Sequence, residues 1–153
     1  MPLAGLDRPA PAGVQEWAFP AMVAIPMNDD LGKLILRLTL GVLVGLHGLH
    51  KLVHGIAPIE AMVHNAALPG FVAYGVLIGE VLGPVLVILG LYARIGAALI
   101  VINMGFAIAL AHGQHLLAIT SHGGWVLELQ GMYLFTALAL VLIGPGRFGI
   151  NRR

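Results

Sequence analysis

The run Phe71–Tyr92, FVAYGVLIGEVLGPVLVILGLY, constrains this chain more than any other stretch. As a helix it is long enough to cross a bilayer, which takes about 20 apolar residues. Near its middle sits one carboxylate, Glu80. An acid at that depth costs about 2 to 3 kcal/mol even on a lenient insertion scale, so it marks a candidate functional site. Gly75, Gly79 and Gly83 recur at every fourth residue and offer a flat face to a neighbouring helix. Pro84 follows, and a proline has no N–H for the carbonyl four residues back. That carbonyl belongs to Glu80. The acid, the flat face and a freed carbonyl thus fall at one depth, and the other helices are read by what they bring there.

Composition agrees with a membrane chain. Of 153 residues, 59% are hydrophobic and 10% charged, where a soluble domain carries roughly 25% charge. There is no cysteine, which excludes thiol chemistry, thiolate ligands and iron–sulfur clusters held by this chain. A net charge of +1 gives no reason to expect nucleic acid. Histidine is unusually frequent, at seven against eight Lys plus Arg.

The expected fold is all-α, an integral membrane antiparallel four-helix bundle with an irregular N-terminal arm. The arm covers residues 1–30 and is punctuated by Pro2, Pro9, Pro11, Pro20 and Pro26. It lies on the membrane surface or on a partner subunit in this reading, with Asn28, Asp29 or Asp30 capping the next helix. Residues 31–153 form the membrane domain, with spans at about 31–53, 71–92, 95–112 and 125–143. Gly41 and Gly45 suit close helix packing in the first span, and a short interfacial helix is expected within 56–67. Trp125 anchors the start of the last span at the interface. Lys33, Arg37, Arg94, Arg147, Arg152 and Arg153 fall on the side of both termini, and Lys51 on the other. The positive-inside rule then places both termini in the cytoplasm.

This topology gathers every histidine on the outer side. His47, His50 and His54 share one face of the first span, and His112, His115 and His122 follow the third. Glu80 lies roughly 13 Å below the outer end of its span and His47 roughly 9 Å below the end of its own, at helical rise. His47, Glu80, His112 and Glu128 are therefore expected to converge in the outer half.

Three pieces of the chain carry a family resemblance. They are LRLTLGVLVGLHGLHKL at 36–52, GEVLGPVLVILGLYAR at 79–94 and GPGRFGINR at 144–152. Together they resemble the DoxX family of small bacterial membrane proteins, related to the DoxD subunit type. The matching residues are Arg37, His47, Gly48 and Lys51, then Glu80 and Arg94, then Gly144, Pro145, Gly146 and Arg147. The resemblance implies a four-helix protein of the bacterial inner membrane, often within a redox complex. DoxD-like members are associated with thiosulfate:quinone oxidoreductase.

Each candidate residue has a functional and a structural reading. Glu80 is a proton acceptor or quinone head-group partner, or else a structural ion pair with His47 across the glycine face. An acid there stays neutral unless a cation pairs with it. His47 and His50 contact a quinone carbonyl or hold a metal or haem, with Glu80, His112 and Glu128 completing the set; the H-x-x-H spacings are no metal signature. His54, His64, His115 and His122 are read as solvated, Asn103 as a helix–helix hydrogen bond, and Arg37 and Lys51 as snorkelling. Three functions stay open: a quinone-interacting subunit of a membrane oxidoreductase, a non-catalytic accessory subunit of a larger complex, and a small channel or carrier. The last is disfavoured because the inner half lacks a line of polar residues.

Overall fold

A computed structural model of the chain describes residues 29–113 and 116–151. Residues 1–28 of the expected N-terminal arm, His115 and the last two arginines lie outside the described residues, while Asp29 and Asp30 belong to the first helix. Helix α1 spans Asp29–His54. A short α2 covers Ala57–Asn65, with Pro58 in its first turn. Helix α3 runs over Gly70–Leu89, α4 over Ala93–His112 and α5 over Glu128–Ile143. Among the described residues the only β-type pairing is an isolated bridge between Ile119 and Trp125.

α1, α3 and α4 are long and apolar enough to cross a membrane. α5 is equally apolar but has 16 residues, and it begins at Glu128 rather than at Trp125. The physical reason lies in the preceding loop. Trp125 donates its indole N–H to the Leu116 carbonyl at 2.7 Å and lays its ring on Gly131, so it folds the loop back onto α5 instead of starting the helix. At the other boundary, Asp29 and Asp30 stand inside the first turn of α1. Lys33 bonds back to Asp29 at 2.5 Å, one turn away.

α3 is not a regular helix. It opens as a 3₁₀ turn over Gly70–Tyr74, passes through a wide π turn over Ile78–Leu82, and resumes as α-helix over Gly83–Leu89. In the π turn the Gly83 amide reaches back five residues, to the Ile78 carbonyl. Pro84 explains the detour: it lacks an N–H, and its ring would strike the carbonyl four residues back in a regular helix. An extra residue in the preceding turn relieves the clash.

The π turn sits between α1 and α4 at backbone distance. A Cβ on Gly48 would overlap the Glu80 carbonyl, so α1 lies directly on the turn. A Cβ on Gly79 would overlap Asn103 of α4. Farther along, Gly83 and Gly96 face each other's carbonyls, at 3.0 and 2.7 Å from the positions a Cβ would take. The glycine face of α3 is therefore turned to α4, not to the first helix, and Gly75 touches nothing. On α1 the close contacts come from Gly41 and Gly48, seven apart; Gly45 makes only an ordinary 3.6 Å contact with Pro84.

The central core joins all four long elements: Leu40 and Val44 from α1, Val87 from α3, Ala97, Ile100 and Met104 from α4, and Tyr133, Ala137 and Leu140 from α5. A smaller cluster of Ile56, Val63 and Ala73 fastens α2 over the start of α3. At the opposite end Arg37 is 1% exposed, a correction to the expectation that it snorkels. Its guanidinium donates to the carbonyls of Val87, Ile88 and Pro145, each at 2.9 Å. Two of these are last-turn carbonyls of α3, where helix amides run out; the Val87 carbonyl also accepts the Gly90 amide at 3.1 Å. Gly90 (φ +65°) ends that helix in the left-handed region. Its lack of a side chain also leaves room for Arg37. The C-terminal tail then returns across this end, where Ile150 and Asn151 donate to the carbonyls of Leu89 and Gly90.

Candidate functional site

Glu80 occupies the π turn and is 4% exposed. Both of its oxygens have partners. Lys51 of α1 makes an ion pair with Oε2, and Asn103 of α4 donates to Oε1 at 3.2 Å. Three long helices thus meet at one carboxylate. The arrangement follows from local sequence. Gly48 lets the α1 backbone reach the π turn, and Lys51, three residues on, extends from the same region of that helix. Gly79 admits the Asn103 side chain beside the acid. The network is asymmetric: the Glu80 side chain is 6% exposed and the Lys51 side chain 23%, so its more open side is the lysine.

The expected histidine partners lie around this network rather than in it. His47 bonds through Nδ1 to the Leu43 carbonyl of its own helix at 2.9 Å. Its ring stands edge-on to Tyr133 of α5, with centroids 5.9 Å apart. His50 is exposed and stacks on His54 at 4.1 Å. His112 meets the side-chain amide of Gln130 at 3.4 Å, an α4–α5 contact. Glu128 is exposed and accepts the Trp125 amide at 3.0 Å, holding the start of α5. Among the described residues no three His, Asp or Glu side chains come together as a metal site.

Lys51 and Asn103 are the members that sequence reasoning did not assign to Glu80. The only sequence signal was depth: Asn103 is polar in mid-span, and Lys51 is the single basic residue near the outer ends.

The family model for DoxX matches residues 32–113, more than half of the chain. The chain belongs to the DoxX family. No curated protein and no solved structure matches it. Lys51, Glu80 and Asn103 all lie inside the DoxX match, as do His47 and Arg37. α5 and the Gly144–Arg147 exit lie beyond it.

The network suits proton exchange. The Glu80 carboxylate accepts from an ammonium and from an amide, each carried by a different helix. Lys51 has three N–H donors, and Glu80 accounts for one. The others, on a partly exposed side chain, can meet an acceptor arriving from outside the bundle.

Proposed function

We propose that this DoxX protein is a multi-pass subunit of a redox complex in the bacterial inner membrane, and that Lys51 and Glu80 form its contact with a quinone head group. In this reading α1, α3, α4 and α5 are the four spans of an antiparallel bundle, with both termini in the cytoplasm. The observation that carries the reading is the buried Glu80, joined to Lys51 and Asn103 from two other helices. A quinone accepts two electrons and two protons to become a quinol. A partner subunit supplies the electrons, and the Lys51–Glu80 pair supplies a proton route to the head-group oxygen. His47 and Tyr133 border the same outer region and position the ring. His50, His112 and Glu128 contribute at the rim.

Glu80→Gln tests the proposal, because it keeps volume and removes the ionisable proton. In the complex isolated from its own membrane, quinone reduction is expected to fall about 100-fold or more, the usual scale for a lost proton-transfer group, with assembly intact. Unchanged turnover in an assembled complex would sink the quinone contact.

One observation favours a second reading. Glu80 has both oxygens occupied by groups of this same chain, which is what a purely structural pin needs. A non-catalytic accessory subunit would then lose assembly, not turnover per complex, in the same variant.

A further inference from the structure

The basic end of the molecule carries two cations without a carboxylate partner among the described residues. Arg37 is buried, and its three acceptors are all backbone carbonyls. Arg94, in the first turn of α4, donates only weakly, to the Leu142 carbonyl at 3.4 Å, and its guanidinium lies over Gly144. The nearby acids are engaged elsewhere: Asp29 pairs with Lys33, and Asp30 holds the Arg147 amide at 2.9 Å. Beside Arg94 is a half-open hollow of about 470 Å³, lined by Tyr92, Arg94, Ile95 and Asn151. That volume lies within the roughly 300–1,000 Å³ of small-molecule sites.

The lining has a consistent chemistry. Arg94 offers charged donors, Tyr92 a hydroxyl and Asn151 an amide, and among the described residues no acid borders the hollow. Tyr92 is held at φ +47°, a backbone region that non-glycine residues seldom occupy. Arg37 lies just behind: its guanidinium fills the space above Gly90, whose carbonyl accepts the Asn151 amide. Two positive charges with only carbonyl partners raise the potential at one concave spot and call for an anion. Ile95 and the exposed Leu89 and Tyr92 continue from it onto the apolar flanks of α3 and α4.

We infer that this hollow binds the phosphodiester of an anionic glycerophospholipid, with the acyl chains lying along α3 and α4. A soluble phosphate would use the arginine and the hydroxyl but gain nothing from the apolar flank. The site is independent of the quinone contact, which lies near the middle of α3.

The test is lipid retention by the delipidated full-length protein in neutral detergent, read by native mass spectrometry. Phosphatidylglycerol and phosphatidylcholine are offered in turn, with and without millimolar inorganic phosphate. Phosphatidylglycerol is expected to be retained over phosphatidylcholine. Arg94→Gln is expected to lower that preference about fivefold, the scale of one basic residue at a membrane surface. Should Arg94→Gln fail to fold, Tyr92→Phe keeps the ring and the guanidinium; it is expected to lower phosphatidylglycerol retention about twofold to threefold, the scale of one hydrogen bond, and to leave phosphatidylcholine unchanged. Equal retention of the two lipids, or a preference that survives the substitutions, overturns the inference. Displacement of the lipid by inorganic phosphate alone overturns the lipid assignment.

Discussion

At the scale of the residue, the Lys51–Glu80 pair ties α1 to the π turn of α3. Removing one member of a buried pair strands the other charge, which typically costs about 3–5 kcal/mol. This pair is partly open through Lys51, so Lys51→Met is expected at the lower end of that range. Replacing both, as in Lys51→Met with Glu80→Leu, is expected to recover most of the loss, because well-packed apolar groups often match a buried pair. Unfolding in mixed detergent gives the three values, and simple additivity of the single losses would show that the two groups are uncoupled. Glu80 was legible as the centre from one line of sequence, because a lone acid in an apolar run is a local fact. Its partners were not. Whether His47 or Lys51 faces Glu80 depends on the rotation of α1, and four residues of helix separate the two by little in angle. The close approach at Gly48 settles it in favour of the lysine.

At the scale of the element, α3 is organised by one proline and the glycines around it. Their contacts differ enough to be told apart by alanine. Gly48→Ala places a methyl group against the Glu80 backbone and is expected to destabilise by about 1–3 kcal/mol, the usual cost of overpacking. Gly75→Ala meets open space, and a change within about 0.5 kcal/mol is expected, as for surface substitutions. Thermal unfolding in detergent compares them; equal losses would mean that α1 does not rest on the π turn. The three long apolar helices were readable because hydropathy is a sum over composition and needs no knowledge of neighbours; the fourth, which starts at Glu128 and has 16 residues, was drawn too long because the Trp125 loop contact is not a matter of composition. The π turn was not readable. Pro84 announces that one carbonyl must lose its amide, but the chain can answer by kinking or by widening a turn. The choice is made by what packs on either side.

At the scale of the whole molecule, the absence of cysteine offers a clean test of topology. A cysteine at Gly32 and one at Ser121 are each the sole thiol in the chain, and both positions are exposed. With four spans and cytoplasmic termini, an impermeant thiol reagent added to intact cells labels Ser121→Cys and spares Gly32→Cys. Labelling of both from one side would remove the four-span arrangement. The same scale holds what the sequence concealed about Arg37. It was read as an interfacial side chain because its burial is produced by segments 50 and 108 residues away. That separation has a consequence in time. During synthesis at about 5–20 residues per second, Arg37 emerges roughly 5 to 20 s before Pro145 supplies its last acceptor. The first span must therefore enter the membrane with an unfinished guanidinium, which water or lipid headgroups serve until the tail arrives. A chain stalled short of Pro145 would keep that guanidinium one acceptor short, so the first helix cannot finish packing before the last one has been made.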